Sequence, residues 1–194
     1  VLVVVDQFRA DYIPNYGHQW TKGLRRLIDG GAVFTRAEYP YAATYTCAGH
    51  ATISTGAWPA MHGMMSNTFF DRQKNATVPC AFDAEATSVA FGGAPGKEHH
   101  SPRSLRLRAF AEALRTQAPG SPQIVSLALK PRSAITMAGR GGPGVTAVWE
   151  EDDGTWATSD AYAAEPWPDV DAFVRAQSIQ HAYGEVWDRL LPES

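Results

Sequence analysis

Apolar residues in this chain fall into two patterns: unbroken β-branched runs, and stretches where they recur every three or four positions. Alternating strands and helices of that kind predict a layered α/β sheet. Residues 1–5 are a continuous Val/Leu run ending abruptly at Asp6, which predicts a strand buried on both faces of a parallel sheet with an acid at its carboxyl end. Residues 20–29 carry Leu24, Leu27 and Ile28 at helical spacing and stop at Gly30-Gly31, and residues 32–34 predict a second short strand. Residues 44–56 predict a turn entering a helix, with Thr46 near its start and Gly56 just past its end.

Further on, residues 67–71 and 77–80 predict a loop and an edge hairpin, and residues 91–96 an exposed glycine-rich stretch. Residues 103–117 predict a second amphipathic helix through Leu105, Leu107, Phe110 and Leu114. The apolar run 124–129 predicts a central parallel strand leading into Lys130-Pro131-Arg132. Residues 146–149 and 155–158 flank Asp153-Gly154, a strong hairpin signal, and residues 166–192 predict a proline-punctuated connector and a last helix. There is no internal repeat or low-complexity tract. The chain opens inside an apolar run and stops after Leu190-Leu191-Pro192, so a fragment of a longer polypeptide is expected.

Composition narrows the picture. With 194 residues, 44% hydrophobic and 19% charged, the chain suits one domain or most of one. A formal net charge of −3 gives no electrostatic reason to expect nucleic acid or an anionic membrane as a bulk partner, so any phosphate affinity must be local. No apolar run approaches the roughly 18 residues of a membrane span. The two cysteines, Cys47 and Cys80, allow one disulfide or two separate buried thiols. None of the histidines has the spacing of a compact zinc cage; His50 and His62 read as structural, and His99, His100 and His181 as surface residues. Gly139 to Gly144 formally matches GxGxxG but runs into a β-rich segment instead of opening a helix, which excludes a dinucleotide fingerprint, and no GxSxG elbow is present.

Five residues carry candidate chemistry. Thr46 at a helix start would sit beside unpaired N–H groups and the positive end of the macrodipole, where an anion or an alkoxide is favoured, although a plain N-cap is the simpler role. Asp6 offers a hard carboxylate for a metal, or merely a cap for the following turn. Asn67 offers a neutral donor for a phosphoryl oxygen, or serves its own turn. Lys130 and Arg132, two apart across a proline that favours extended backbone, can point to one side of a strand end and clamp a dianionic phosphate, against the alternative of two solvated cations.

In combination these segments resemble the type I phosphodiesterase/nucleotide pyrophosphatase branch of the alkaline phosphatase superfamily, particularly its bacterial alkaline phosphatases with a threonine nucleophile. The resemblance runs through Val3-Val4-Val5-Asp6-Gln7, Gly31-Ala32-Val33-Phe34, Thr44-Tyr45-Thr46-Cys47-Ala48-Gly49-His50, Thr55-Gly56, His62-Gly63, Asn67 and Asp71. It continues through His100-Ser101-Pro102-Arg103 and Ser126-Leu127-Ala128-Leu129-Lys130-Pro131-Arg132. It implies that residues 1–194 are the N-terminal portion of one catalytic domain, with 141–194 a hairpin and connector region.

It further implies that Asp6 and Thr46 are zinc ligands, that Thr46 becomes phosphorylated, and that Asn67, Lys130 and Arg132 hold the non-bridging phosphoryl oxygens. The lysine and arginine pair resembles the phosphomonoesterase version of the site, so small phosphate monoesters are the expected substrates. A phosphodiesterase on the same scaffold is the alternative, and a non-catalytic ligand-binding fragment the reading from another class. Complete members carry two zinc ions on ligands further along the chain, so at most part of one zinc site is expected here. The family association and a Cys47–Cys80 pairing suggest a periplasmic or secreted setting.

Overall fold

The computed structural model describes residues 1–91, 98–162, 167–176 and 184–186, which fall into two compact units, Val1–Thr44 and Tyr45–Ser194. The first unit holds helix α1 (Tyr12–Tyr16), a 3-10 turn (Gly17–Gln19) and helix α2 (Gly23–Gly30). Phe8 meets Tyr12 edge-on at 5.6 Å and lies 5.9 Å from Trp20, so ring contacts organise this short segment. Two expected strands are absent from it. Residues 1–5 and 32–34 form no ladder, and Val1, Leu2, Val3, Val5, Val33 and Phe34 are exposed. A strand exists only through hydrogen bonds to a neighbour, which an apolar pattern does not supply.

The second unit begins with α3 (Thr46–Thr55) and α4 (Pro59–His62), followed by the hairpin β1 (Thr68–Asp71) and β2 (Ala76–Pro79), paired antiparallel as its sequence predicts. Gly56 closes α3 at φ 66°, a left-handed conformation that favours glycine. Next come β3 (Ser88–Ala90), α5 (Phe110–Gln117), β4 (Ile124–Ala128), α6 (Pro131–Ala138), β5 (Val145–Glu150), β6 (Trp156–Ser159) and α7 (Pro168–Ala176).

These strands make a four-stranded sheet in the order β3-β6-β5-β4, with β4 parallel to β5 and the other pairs antiparallel. The architecture is mixed α/β, as expected, but the run 124–129 is not central: among the described residues β4 pairs on one side only. The central place belongs to β5, whose first five residues are all buried. Val145, Ala147 and Trp149 pack with Ala134, Ile135 and Ala138 of α6, while Val148 packs on the opposite side with Phe91, Trp156 and Val174 of α7. Full burial of each large side chain contributes roughly 1.5–3 kcal/mol.

The helix expected over 103–117 starts only at Phe110. Upstream, Leu105 is buried against the Cys47–Cys80 pair and the Arg106 N–H donates to the His62 carbonyl at 3.0 Å, so tertiary contacts hold the chain out of the helix. The Asp153-Gly154 hairpin is present, with the Glu151 N–H donating to the Thr155 carbonyl at 2.8 Å. Most of the 91–96 stretch and of the 166–192 connector lies outside the described residues.

Candidate phosphoryl-transfer site

Thr46 is the first residue of α3, and the N-cap is Tyr45, at φ −67° and ψ 158° with no side-chain cap bond. Thr46 thus follows the N-cap by one position. The next N–H, that of Cys47, donates to Asn67 Oδ1 at 3.0 Å. One of the orphan donors of the first turn is thus met by a side chain 20 residues away, and this brings Asn67 to the end of α3 where Thr46 sits.

Around this pair the packing is tight. His50 is buried and donates from Nδ1 to the Thr46 carbonyl at 3.0 Å; a carbonyl only accepts, so that nitrogen carries the proton. His62 is fully buried, accepting the Met64 N–H at Nδ1 (3.1 Å) and donating from Nε2 to the Thr52 hydroxyl (3.1 Å). Burial holds its pKa below the ordinary histidine value. Both histidines have the structural roles expected of them. Cys47 and Cys80 form a disulfide, which settles the choice left open by the sequence.

Lys130 and Arg132 come together in another way than expected. Pro131 does not extend a strand end; it is the first residue of α6, with Lys130 as the N-cap and Arg132 in the first turn. Proline at that position is pre-organised for helix, and its fixed φ also suits extended chain, so sequence alone cannot separate the two. Both cations nonetheless line one cleft of about 370 Å³, with Pro79, Phe82, Glu98 and His100 among its walls. Lys130 Nζ lies 3.9 Å from the exposed Asp152 carboxylate. The Arg132 Nε atom is buried without a hydrogen-bond partner. Helix α6 also packs on α3, where the Ser54 hydroxyl donates to the Thr136 carbonyl at 2.6 Å.

His100 corrects its surface assignment. It is 7% exposed, its Nε2 pairs with Glu98 at 2.6 Å, and its ring meets Trp149 edge-on. The Glu98-x-His100 spacing was the one available signal of that pair. His99 is exposed as expected, and His181 lies outside the described residues. Asp6 belongs to the first unit, where its Oδ1 accepts the N–H of Gln7, a residue at φ 57°. Among the described residues, no three of His, Cys, Asp and Glu come together as a metal site.

The sequence profile of the type I phosphodiesterase/nucleotide pyrophosphatase family matches residues 1–174. The chain belongs to this family, within the alkaline phosphatase superfamily. It is 37% identical over 142 residues to alkaline phosphatase PhoK of Sphingomonas sp., covering 72% of this chain and 24% of PhoK. It is 30% identical over 193 residues to alkaline phosphatase PafA of Elizabethkingia meningoseptica, covering 98% of this chain and 35% of PafA. The crystal structure of wild-type PafA superposes with a TM-score of 0.86 at 28% identity, covering 97% of this chain and 36% of that one. A further PafA structure carries replacements of one threonine, one asparagine, one lysine and one arginine. The chain thus spans about a quarter to a third of the relatives it matches.

Proposed function

We propose that residues 1–194 are the N-terminal portion of the catalytic domain of a phosphate monoester hydrolase that works through a phosphothreonine at Thr46. The observation that carries this reading is the Asn67 amide fastened to the first turn of α3, at the N–H that follows Thr46. The PafA variant supports it: its replaced threonine and asparagine stand 21 positions apart and its lysine and arginine two apart, the intervals that separate Thr46 from Asn67 and Lys130 from Arg132.

In the first step the Thr46 oxygen attacks phosphorus in line, the new O–P bond forming as the bond to the leaving alcohol breaks, and the proton that the threonine hydroxyl gives up is balanced by the one that the alcohol oxygen takes up. Water then cleaves the Thr46–phosphate ester and releases inorganic phosphate. The helix N-terminus favours the anionic threonine oxygen and the charge on the phosphoryl group. Asn67 donates from Nδ2 to one non-bridging oxygen, and Lys130 and Arg132 balance the charge on the others. Zinc is the metal of the proposed reaction, but Asp6 and Thr46 alone do not make up its usual four ligands. Its other ligands would come from the part of the catalytic domain that these residues, spanning 24% of PhoK and 35% of PafA, do not cover. The Cys47–Cys80 disulfide supports a periplasmic or secreted location.

Replacing Thr46 with Ala in the full-length protein should abolish the acid-stable phosphothreonine that mass spectrometry detects after quenching, and lower monoester kcat/KM by at least about 10³-fold. Unchanged turnover would refute the assignment. The family name also favours a diesterase reading. Replacing both Lys130 and Arg132 by Ala separates the two, since a monoesterase loses far more against monoesters than against diesters.

A further inference from the structure

The two cysteines and Asn67 close a ring. Cys47 follows Thr46 in α3 and donates its N–H to Asn67 Oδ1 at 3.0 Å. Cys80 donates its N–H to the Asn67 backbone carbonyl at 2.9 Å. The disulfide joins these two donors covalently, with their Cα atoms 6.8 Å apart. Both cysteines are fully buried, packed with Ala51, Met64 and Leu105. Asn67 is therefore tied by its backbone to one half-cystine and by its side chain to the other.

This arrangement sets the amide's polarity as well as its place. An oxygen that accepts the Cys47 N–H leaves the Nδ2 hydrogens as the donor end, and a flipped amide would set N–H against N–H. Without the crosslink, the start of α3 keeps a single hydrogen bond to Asn67 and the apolar packing of Ala51, Met64 and Leu105, while Cys80 keeps its bond to Asn67 at the end of the β1–β2 ladder. A displacement near 1 Å at a reacting group can lower a rate by about 10²-fold.

We propose that the Cys47–Cys80 disulfide is a positioning element for phosphoryl transfer, holding the Asn67 amide in one orientation beside Thr46 at the N-terminus of α3. The inference rests on the reading of Asn67 as a phosphoryl-oxygen donor. Its distinguishing consequence is that loss of the disulfide acts through Asn67, so the two perturbations are not additive.

The test uses the full-length protein in four forms: unmodified, Asn67→Ala, the paired Cys47→Ala/Cys80→Ala, and all three changes together. Cys47→Ala keeps the backbone N–H that Asn67 accepts. Monoester kcat/KM should fall roughly 10²-fold for Asn67→Ala and roughly tenfold for the paired cysteine variant. The triple variant should lie within about twofold of Asn67→Ala. Equal fractional losses in both backgrounds would mark an ordinary stabilising crosslink and overturn the proposal. An Asn67→Ala protein of full activity would sink the site reading, and this inference with it. A normal Asn67→Ala loss beside a fully active disulfide-free protein would sink the inference alone.

If the cysteine variant does not fold, unmodified and Asn67→Ala proteins are treated with a phosphine, which becomes its oxide as the disulfide becomes two thiols. Thiols are counted by mass, and urea is kept below the unfolding transition. Reduction should then lower activity more in the unmodified protein. An equal loss in both, as metal stripping or general loosening would give, overturns the proposal.

Discussion

Replacing His62 tests how α3 is held. The ring is fully buried, with Nδ1 accepting the Met64 N–H at 3.1 Å and Nε2 donating to the Thr52 hydroxyl at 3.1 Å. In His62→Ala the Met64 N–H is left buried and unpaired at a cost of about 1–3 kcal/mol, and the Thr52 bond goes for about another 1 kcal/mol. The vacated ring volume adds about 1 kcal/mol or more, for a total near 3–5 kcal/mol. His62→Asn restores an acceptor near the Nδ1 position and should recover about 1–2 kcal/mol of this. Urea unfolding followed by tryptophan fluorescence measures the loss, and hydrogen exchange at the Met64 amide localises it. The pH dependence supplies a second reading. Burial depresses the folded-state pKa of His62, so its stabilising contribution is complete above the unfolded value near pH 6.5 and is lost as pH falls through the folded value. The advantage of the unmodified protein over His62→Asn should therefore shrink between pH 7.5 and pH 5. An alanine cost below about 1 kcal/mol, or an advantage that grows on acidification, would refute this account.

Two more outcomes follow from named contacts. Glu112 Oε2 accepts the N–H groups of Ala109 (2.8 Å) and Arg140 (3.1 Å), joining the start of α5 to the end of α6, so Glu112→Ala should cost about 2–3 kcal/mol in urea unfolding and Glu112→Gln less. Asp152 stands 3.9 Å from Lys130 with its side chain 90% exposed, so Asp152→Asn should change stability by less than about 0.5 kcal/mol. It should also tighten competitive inhibition by inorganic phosphate a few-fold at low salt, an effect that disappears at high ionic strength.

Patterns that record their own hydrogen-bonding partners in sequence were legible. The hairpin of β1 and β2, the α3 helix with its glycine stop and the β5–β6 turn all declare both halves within a few residues. The run 1–5 declares only that it is apolar, which a strand needs but which does not supply a neighbour. The first half of 103–117 shows the opposite failure. Its helical spacing is real, yet Leu105 is drawn into the cluster around the disulfide, and burial there outweighs an intrinsic preference worth only tenths of a kcal/mol per residue.

The site was legible as a set of residues but not as an arrangement. Singly, Thr46, Asn67, Lys130 and Arg132 each have an ordinary structural use, and local rules cannot choose between that use and chemistry. What discriminates is mutual position. Thr46 falls at the very start of α3, where one residue decides between N-cap and first helical position, a distinction below the usual uncertainty of a helix boundary. The amide of Asn67 reaches across 20 residues to the next N–H, and nothing in a linear pattern announces that bond. The disulfide explains why it forms there: the same crosslink that buries two cysteines brings the strand-side N–H of Cys80 and the helix-side N–H of Cys47 to opposite ends of one asparagine. Cys47, beside the candidate nucleophile, is thus part of the geometry that sets the neighbouring donor.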